Sequence, residues 1–297
     1  MDVLVVGAGS LGSLLGGLLA REHDVTLVGR QPHVGTVAES GLRLTGAVDA
    51  TVEPRAVEQP APGTATDLAL VTVKAFDTDG AVETLADVDV DLVLSLQNGL
   101  GNEATLAEGL DATVLAGTCT YGARLTEPGV VECTGVGEVA LGQRDGGRTA
   151  AADRVGEAFE AAGVVTTVAE DMPERLWEKL AVNAGINAVT ALARVPNGDV
   201  VDGPGREPAL EAARETARVA RREEIDLDPA AAAAAVESVA EATAPNTSSM
   251  LQDVQRGGRT EVDAINGAVA DRGGEEAPVN RTLAALIRAW ERGQDLR

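Results

Sequence analysis

Val3-Leu4-Val5-Val6-Gly7-Ala8-Gly9-Ser10-Leu11-Gly12 is the stretch whose reading decides the fold. A short β-branched run ends in three closely spaced glycines, and a helical stretch, Leu14 to Arg21, comes next. Gly7 permits a tight turn, Gly9 lets a pyrophosphate approach the backbone, and Gly12 lets the helix pack against the strand. The first N–H groups of that helix then face the phosphates. Glycine patterns of this kind are common, but this one sits directly between a strand and a helix, as dinucleotide binding requires. Gly7, Ala8, Gly9, Ser10, Leu11 and Gly12 are therefore candidate cofactor contacts.

Working outward, Val25 to Val28, Leu68 to Val73 and Leu92 to Leu96 read as further buried strands, the last two each followed by a helix. Strand–helix alternation implies a parallel sheet covered on both faces. Val130 to Leu141 suggests a hairpin or antiparallel addition, Ala150 to Ala162 a helix, and Val164 to Val168 a last strand. Beyond about residue 170 the strand pattern stops. Glu174–Leu192, Glu207–Arg222, Pro229–Ala242, Ser248–Arg256, Glu261–Ala270 and Arg281–Arg292 read as helices. Pro229 suits a first helical turn and Asn280 suits a cap for the last helix. The expected class is α/β, with a Rossmann-type dinucleotide-binding domain over 1–168 and an all-helical domain over 169–297.

The chain has 297 residues, 47 acids against 24 bases, a net charge of −23 and 44% hydrophobic residues. That apolar content argues for a folded protein with an acidic surface rather than for disorder. Such a surface repels nucleic acid and anionic membranes, so neither is expected as a partner. High acid, few aromatics and almost no lysine resemble proteins of salt-saturated cytosols; an ordinary acidic protein from a high-GC genome is the alternative. Cys119 and Cys133 cannot form a disulfide framework and read as small core residues. Residues 3–20 are apolar, but glycines interrupt them and no basic residue precedes them, so the chain reads as cytoplasmic and soluble. The two histidines, His23 and His33, read as surface residues, and no metal cluster is expected.

Cofactor choice rests on the end of the second strand. A dehydrogenase built for NAD places an acid there for the ribose hydroxyl, whereas this chain has Gly29-Arg30-Gln31. Arg30 can clamp a 2′-phosphate by charge and paired donors, which favours NADP. Lys74 and Asn98 each follow a sheet strand, where open α/β sheets bind ligands. The only other lysine is Lys179. An ammonium can give up its proton where a guanidinium cannot, so lysines spared from replacement by arginine are candidates for proton chemistry. Lys179, Asn183 and Asn187 recur every four residues, along one helix face with a drift of about 40° per step. Apolar neighbours such as Leu176, Trp177 and Leu180 suggest a polar line entering a buried cleft, where such groups are costly unless they meet each other or a ligand.

With these motifs in place the chain resembles the ketopantoate reductase (2-dehydropantoate 2-reductase) family over nearly its whole length. The likeness rests on the glycine loop, Val71 to Ala75, Gln97-Asn98-Gly99, Leu176 to Asn187 and Val195-Pro196-Asn197-Gly198. Asn246-Thr247-Ser248-Ser249-Met250-Leu251-Gln252-Asp253 and Thr260-Glu261-Val262-Asp263-Ala264-Ile265-Asn266-Gly267 are its more distinctive parts. The resemblance implies an NADPH-dependent enzyme of pantothenate and coenzyme A synthesis, with its active site in a cleft between two domains. It implies Lys179 as general acid and Glu261 as active-site glutamate, the latter able to hold the substrate hydroxyl, orient the lysine or reach the nicotinamide end of the cofactor. It implies substrate contacts from Asn98, Asn183, Asn187 and Asn197, and carboxylate binding by Ser249. Cofactor contacts would fall on Gly7 to Gly12, Arg30, Lys74, Asn98 and Ala123. Gln97, Tyr121-Gly122 and the absence of an aromatic from Val262 to Val269 depart from the family pattern. They leave open a paralogous NADP-dependent reductase of another branched 2-keto acid. A non-catalytic NADP-binding regulatory protein would be expected to lose Lys179 or Glu261. The expected small-molecule partner is ketopantoate, and the expected assembly is a monomer or homodimer.

Overall fold

A computed structural model describes all 297 residues and divides them into two compact units. The first comprises residues 1–97 and 101–172; the second comprises 98–100 and 173–297.

The first unit runs β1 (Asp2–Val6), α1 (Ser10–Leu19), β2 (Asp24–Val28), α2 (His33–Ser40), β3 (Leu42–Gly46), β4 (Ala50–Val52), β5 (Arg55–Val57) and β6 (Ala65–Val71). It continues through α3 (Thr78–Leu85), β7 (Asp89–Ser95), α4 (Asn102–Gly109), β8 (Thr113–Cys119), β9 (Gly122–Glu127), β10 (Val130–Gly135), β11 (Val139–Gln143), α5 (Ala150–Ala161) and β12 (Thr166–Val168). Eight strands form one sheet in the order β12-β11-β8-β7-β6-β1-β2-β5, parallel from β8 to β5, with β11 antiparallel to β8. The strand alternation explains why both faces are covered. Val3 and Val5 of β1, Leu68 and Leu70 of β6, and Leu92 and Leu94 of β7 enter one core. Leu4, Val6, Ala69, Val71 and Val93 enter the core on the other face. Near-continuous apolar strands of this kind are what a doubly covered parallel sheet needs.

A second, four-stranded sheet (β4-β3-β10-β9) joins the first core, where Leu42, Leu44 and Val131 pack with Leu14, Leu15 and Leu18 of α1. The sequence reading missed β3, β4 and β5, which are short and poorly patterned. The antiparallel addition it expected from 130 is the β9–β10 hairpin followed by β11.

The second unit is helical: α6 (Met172–Ala193), α7 (Asn197–Asp202), α8 (Arg206–Arg222), α9 (Pro229–Ala242), α10 (Ser249–Gln255), α11 (Ala268–Gly273) and α12 (Pro278–Gly293). Its core is rich in alanine, including Ala209, Ala212, Ala213, Ala217 and Ala220 on one face of α8, which permits close helix approach. Pro229 opens α9 behind the Asp228 cap, whose Oδ1 accepts from Ala230 and Ala231 N–H at 2.9 Å each.

Two sequence expectations need correction here. The helix expected over Glu261–Ala270 is instead a π-helical turn, Asp263–Gly267, followed by α11. Asn280 does not cap α12, because the helix begins at Pro278 and Asn280 lies inside its first turn, fully buried. The capping is done from another helix: Glu215 of α8 accepts from Val279 N–H and Asn280 N–H, each at 2.9 Å. A carboxylate at a helix N-terminus meets both unsatisfied donors and the positive end of the dipole. No helix is long and apolar enough to cross a membrane.

Candidate functional site

In the first unit the glycine loop leaves β1 and turns into α1. Gly7 has φ +109°, and a Cβ there would lie 2.7 Å from Val73 N. At Gly12 a Cβ would lie 2.2 Å from Gly7 O, so α1 starts against its own loop. A Cβ at Gly9 would meet nothing within 4 Å. The loop thus closes on itself at Gly7 and Gly12 and stays open at Gly9, beside the start of α1. That open space at a helix N-terminus fits a pyrophosphate. Gly7 and Ala8 N–H both donate to Val28 O, at 3.0 and 2.8 Å, fastening the loop to the end of β2. Ser10 Oγ accepts from Leu125 N–H at 3.0 Å, which ties α1 to β9. Leu11, within α1, is half-buried.

Arg30 follows β2 with its side chain 89% exposed, 3.3 Å from Asp77 Oδ2. Lys74 is half-buried and precedes the 3₁₀ turn Ala75–Asp77 after β6. Ala123 lies on β9 opposite Cys133 and is half-buried. Beneath the Lys74 turn, Gln97 Nε2 donates to Thr78 Oγ1 at 2.8 Å, and Thr78 Oγ1 donates to Ala75 O at 2.8 Å. Gln97 thereby ties the end of β7 to that turn, a link that reading Gln97-Asn98-Gly99 as local donors did not reveal.

His33 corrects another expectation, since it is only 5% exposed. Its Nδ1 accepts from Gly129 N–H at 3.1 Å, which leaves the proton on Nε2, 2.9 Å from Ser13 Oγ of α1. Burial lowers its pKa below the ordinary histidine value. His23 is half-buried as well, with Nε2 2.8 Å from Ala158 O. A side chain that braces the glycine helix from twenty residues away leaves no local pattern in sequence. Both cysteines are free thiols, and burial raises the pKa of Cys133.

In the second unit α6 carries Lys179, Asn183 and Asn187 in a line of increasing depth; Lys179 and Asn183 are half-buried and Asn187 is buried. Asn98 belongs to this unit. Its Nδ2 donates to Glu261 Oε2 at 3.2 Å, and Glu261 is 5% exposed. Gly99 shows why that approach is open: φ is +87°, and a Cβ would lie 2.4 Å from Ala264 O. Leu100 N–H donates to the same oxygen at 3.3 Å, so residues 98–100 are laid along the Glu261 segment. Asn197 opens α7, buried, with Nδ2 donating to Thr243 Oγ1 at 2.9 Å; its Oδ1 is buried without a hydrogen-bond partner. Ser249 is exposed in the first turn of α10. Its neighbour Ser248 is the cap, accepting from Leu251 N–H at 3.1 Å and lying 2.7 Å from Thr190 Oγ1.

The structure therefore groups the sequence-derived residues by unit. Gly7 to Gly12, Arg30, Lys74 and Ala123 belong to the α/β unit; Asn98, Lys179, Asn183, Asn187, Asn197, Ser249 and Glu261 belong to the helical one. Chemically, the first set offers backbone donors and fixed positive charge suited to a phosphorylated dinucleotide. The second offers an ammonium, a carboxylate, amides and a hydroxyl, which can bind a small polar ligand and transfer a proton.

Residues 3–146 match the family model described as "Ketopantoate reductase PanE/ApbA", and residues 171–291 match "Ketopantoate reductase PanE/ApbA C terminal". A 2-dehydropantoate 2-reductase of Halobacterium salinarum is 45% identical, over 98% of this chain and 99% of that one. One from Archaeoglobus fulgidus is 42% identical over 98% of each. Among solved structures, a PanE/ApbA family ketopantoate reductase from Ralstonia eutropha JMP134 superposes with TM-score 0.91 at 34% identity, covering 99% of this chain and 100% of that one. D-mandelate dehydrogenase with NADH and anilino(oxo)acetate gives 0.93 at 25% identity, covering 100% of both.

Proposed function

The chain belongs to the ketopantoate reductase family, and on that premise we propose how its residues divide the reduction of 2-dehydropantoate to pantoate. It is an NADP-dependent oxidoreductase of pantothenate and coenzyme A synthesis. What supports the reading is full-length kinship at 45% identity to a curated 2-dehydropantoate 2-reductase, joined to the retention of Lys179 in line with Asn183 and Asn187.

NADPH, when bound, supplies the hydride that reduces the 2-keto carbon. The loop Gly7, Ala8, Gly9, Ser10, Leu11, Gly12 holds its pyrophosphate, Arg30 its 2′-phosphate, and Lys74, Asn98 and Ala123 the rest of the cofactor. Lys179 stabilises negative charge growing on the keto oxygen and then gives that oxygen its proton; the neutral amine regains a proton from solvent. Asn183, Asn187 and Asn197 orient the substrate, and Ser249 binds its carboxylate. Glu261, held by Asn98, accepts from the substrate hydroxyl or reaches the nicotinamide end. Burial makes a carboxylate costly unless donors meet it, and Asn98 Nδ2 supplies one to Glu261 at 3.2 Å. Cytoplasmic residence, a monomeric or homodimeric state and adaptation to molar salt complete the proposal. The excess of 47 acids over 24 bases supports the last point, and the melting temperature should then rise with KCl; a flat or falling curve would refute it.

The likeness to D-mandelate dehydrogenase supports a second reading, a reductase of another 2-keto acid. An assay of NADPH oxidation against a panel of 2-keto acids decides between them. The proposal predicts the highest kcat/KM for ketopantoate; a preference for an aromatic 2-keto acid would overturn it.

A further inference from the structure

Glu261 sits in a segment fastened at three nearby points. Before it, Thr260 N–H and Thr260 Oγ1 both donate to Glu291 Oε1 of α12 at 2.7 Å, and Glu291 is fully buried. After it, Arg288 Nε of α12 donates to Asp263 Oδ1 at 2.7 Å, and Arg297 pairs with the same carboxylate. Burial opposes ionisation of Asp263, but the two arginines outweigh it and hold its pKa below the usual carboxylate range. The third point is different in kind. Asn266, 0% exposed, donates through Nδ2 to Ala184 O of α6 at 2.9 Å and to Asn280 Oδ1 at 2.9 Å. Ala184 lies between Asn183 and Asn187 on the helix that carries Lys179.

The π-helical turn explains how Asn266 comes to be there. Gly267 N–H donates to Val262 O at 2.8 Å, an i→i+5 closure that inserts one residue into the helical path. Asn266 lies within this turn, five residues after Glu261, so the turn carries both side chains on one short segment. Asn266 Oδ1, moreover, is buried without a hydrogen-bond partner. Its Nδ2 meanwhile satisfies both an α6 carbonyl and the Asn280 amide oxygen. What the side chain does achieve is register: it locks the Glu261 segment to the main chain of α6 at the level of its asparagines.

We propose that Asn266 is a positioning residue, setting Glu261 against the polar line of α6. The inference rests on the role given above to Glu261. Asn266 touches neither substrate nor cofactor in this scheme and acts through Glu261.

The test is a double-mutant cycle with Asn266→Ala and Glu261→Gln, measuring kcat and KM for ketopantoate and, separately, the dissociation constant of NADPH. Asn266→Ala should lower kcat/KM for ketopantoate about ten- to a hundredfold, the scale of a small misplacement of a reacting group. NADPH binding should hold. In the Glu261→Gln background the same substitution should add little, because its effect passes through the missing carboxylate. A parallel variant, Asp228→Ala, removes the α9 cap and should lower the melting temperature with kcat retained. A Glu261→Gln enzyme of normal activity would defeat the underlying reading. An impaired Glu261→Gln enzyme combined with an equal, additive loss from Asn266→Ala would overturn this inference alone. If Asn266→Ala does not fold, Asn266→Ser, which keeps a donor in a smaller side chain, carries the same cycle. Failure of both to fold assigns Asn266 a structural role and overturns the proposal.

Discussion

The two units build their candidate polar sites from different materials. The α/β unit relies chiefly on main chain, with the Arg30 and Lys74 side chains added to it. Its loop offers N–H groups at the start of α1, and glycines at 7 and 12 are there because a Cβ would strike Val73 N or Gly7 O. The helical unit relies on side chains, and Glu261 and Asn197 are held by partners from elsewhere in the chain. Glu261 depends on Asn98 and a braced π-helical turn, and the turn depends on α12 and α6. Main-chain sites announce themselves locally because glycine spacing is the geometry. Side-chain sites are assembled by contacts between residues tens to well over a hundred positions apart.

If this contrast holds, lesions in the first unit should act on cofactor binding and leave turnover intact. Arg30→Ala gives the larger expected effect. Losing a charge-assisted contact to the 2′-phosphate should raise the KM for NADPH about tenfold, the lower end for such a bond because Arg30 is exposed. KM for NADH should hardly move, and kcat at saturating NADPH should not change. A fall in kcat would show that the units do not divide the work, and equal use of NADPH and NADH by the unmodified enzyme would remove Arg30's role.

A smaller effect sharpens the comparison through His33. Its folded pKa is lowered by burial, so the folded state binds fewer protons than the unfolded one. The stability this contributes is present above the unfolded value of about 6.5 and is lost as pH falls through the lower folded value. Protonation would also cost the Gly129 N–H its acceptor. Melting temperatures measured from pH 8 to pH 5 should fall with acid, and His33→Gln should flatten that limb while lowering stability at pH 8. A limb unchanged in His33→Gln would place its origin in other groups.

The legibility of the structure in the sequence divides along the same line. β1, the glycine loop, the buried strands and α9 were legible because apolar runs, glycines and Pro229 are local signals. The line Lys179, Asn183, Asn187 was legible because helical periodicity is local too. The short strands β3 to β5 were not, since three to five residues with mixed burial carry too little pattern. His33 read as a surface residue because nothing in its neighbourhood names Ser13 or Gly129 as partners. Asn280 read as a cap because asparagine near a helix start usually is one; here Glu215, 65 residues away, takes that task and Asn280 bridges to Asn266. The π-helical turn after Glu261 left no sign at all, because a one-residue insertion in a helix preserves composition and blurs periodicity.

The central claim is that Lys179 of the helical unit supplies the proton while the glycine loop, Arg30 and Lys74 of the α/β unit bind the cofactor. Lys179→Ala tests it most directly, measured as kcat for ketopantoate reduction beside the dissociation constant of NADPH on the same folded protein. The expected result is a fall in kcat of about 10²–10⁴, the range for a positioned general acid, with NADPH binding unchanged. A folded Lys179→Ala enzyme that turns over at the unmodified rate would contradict it.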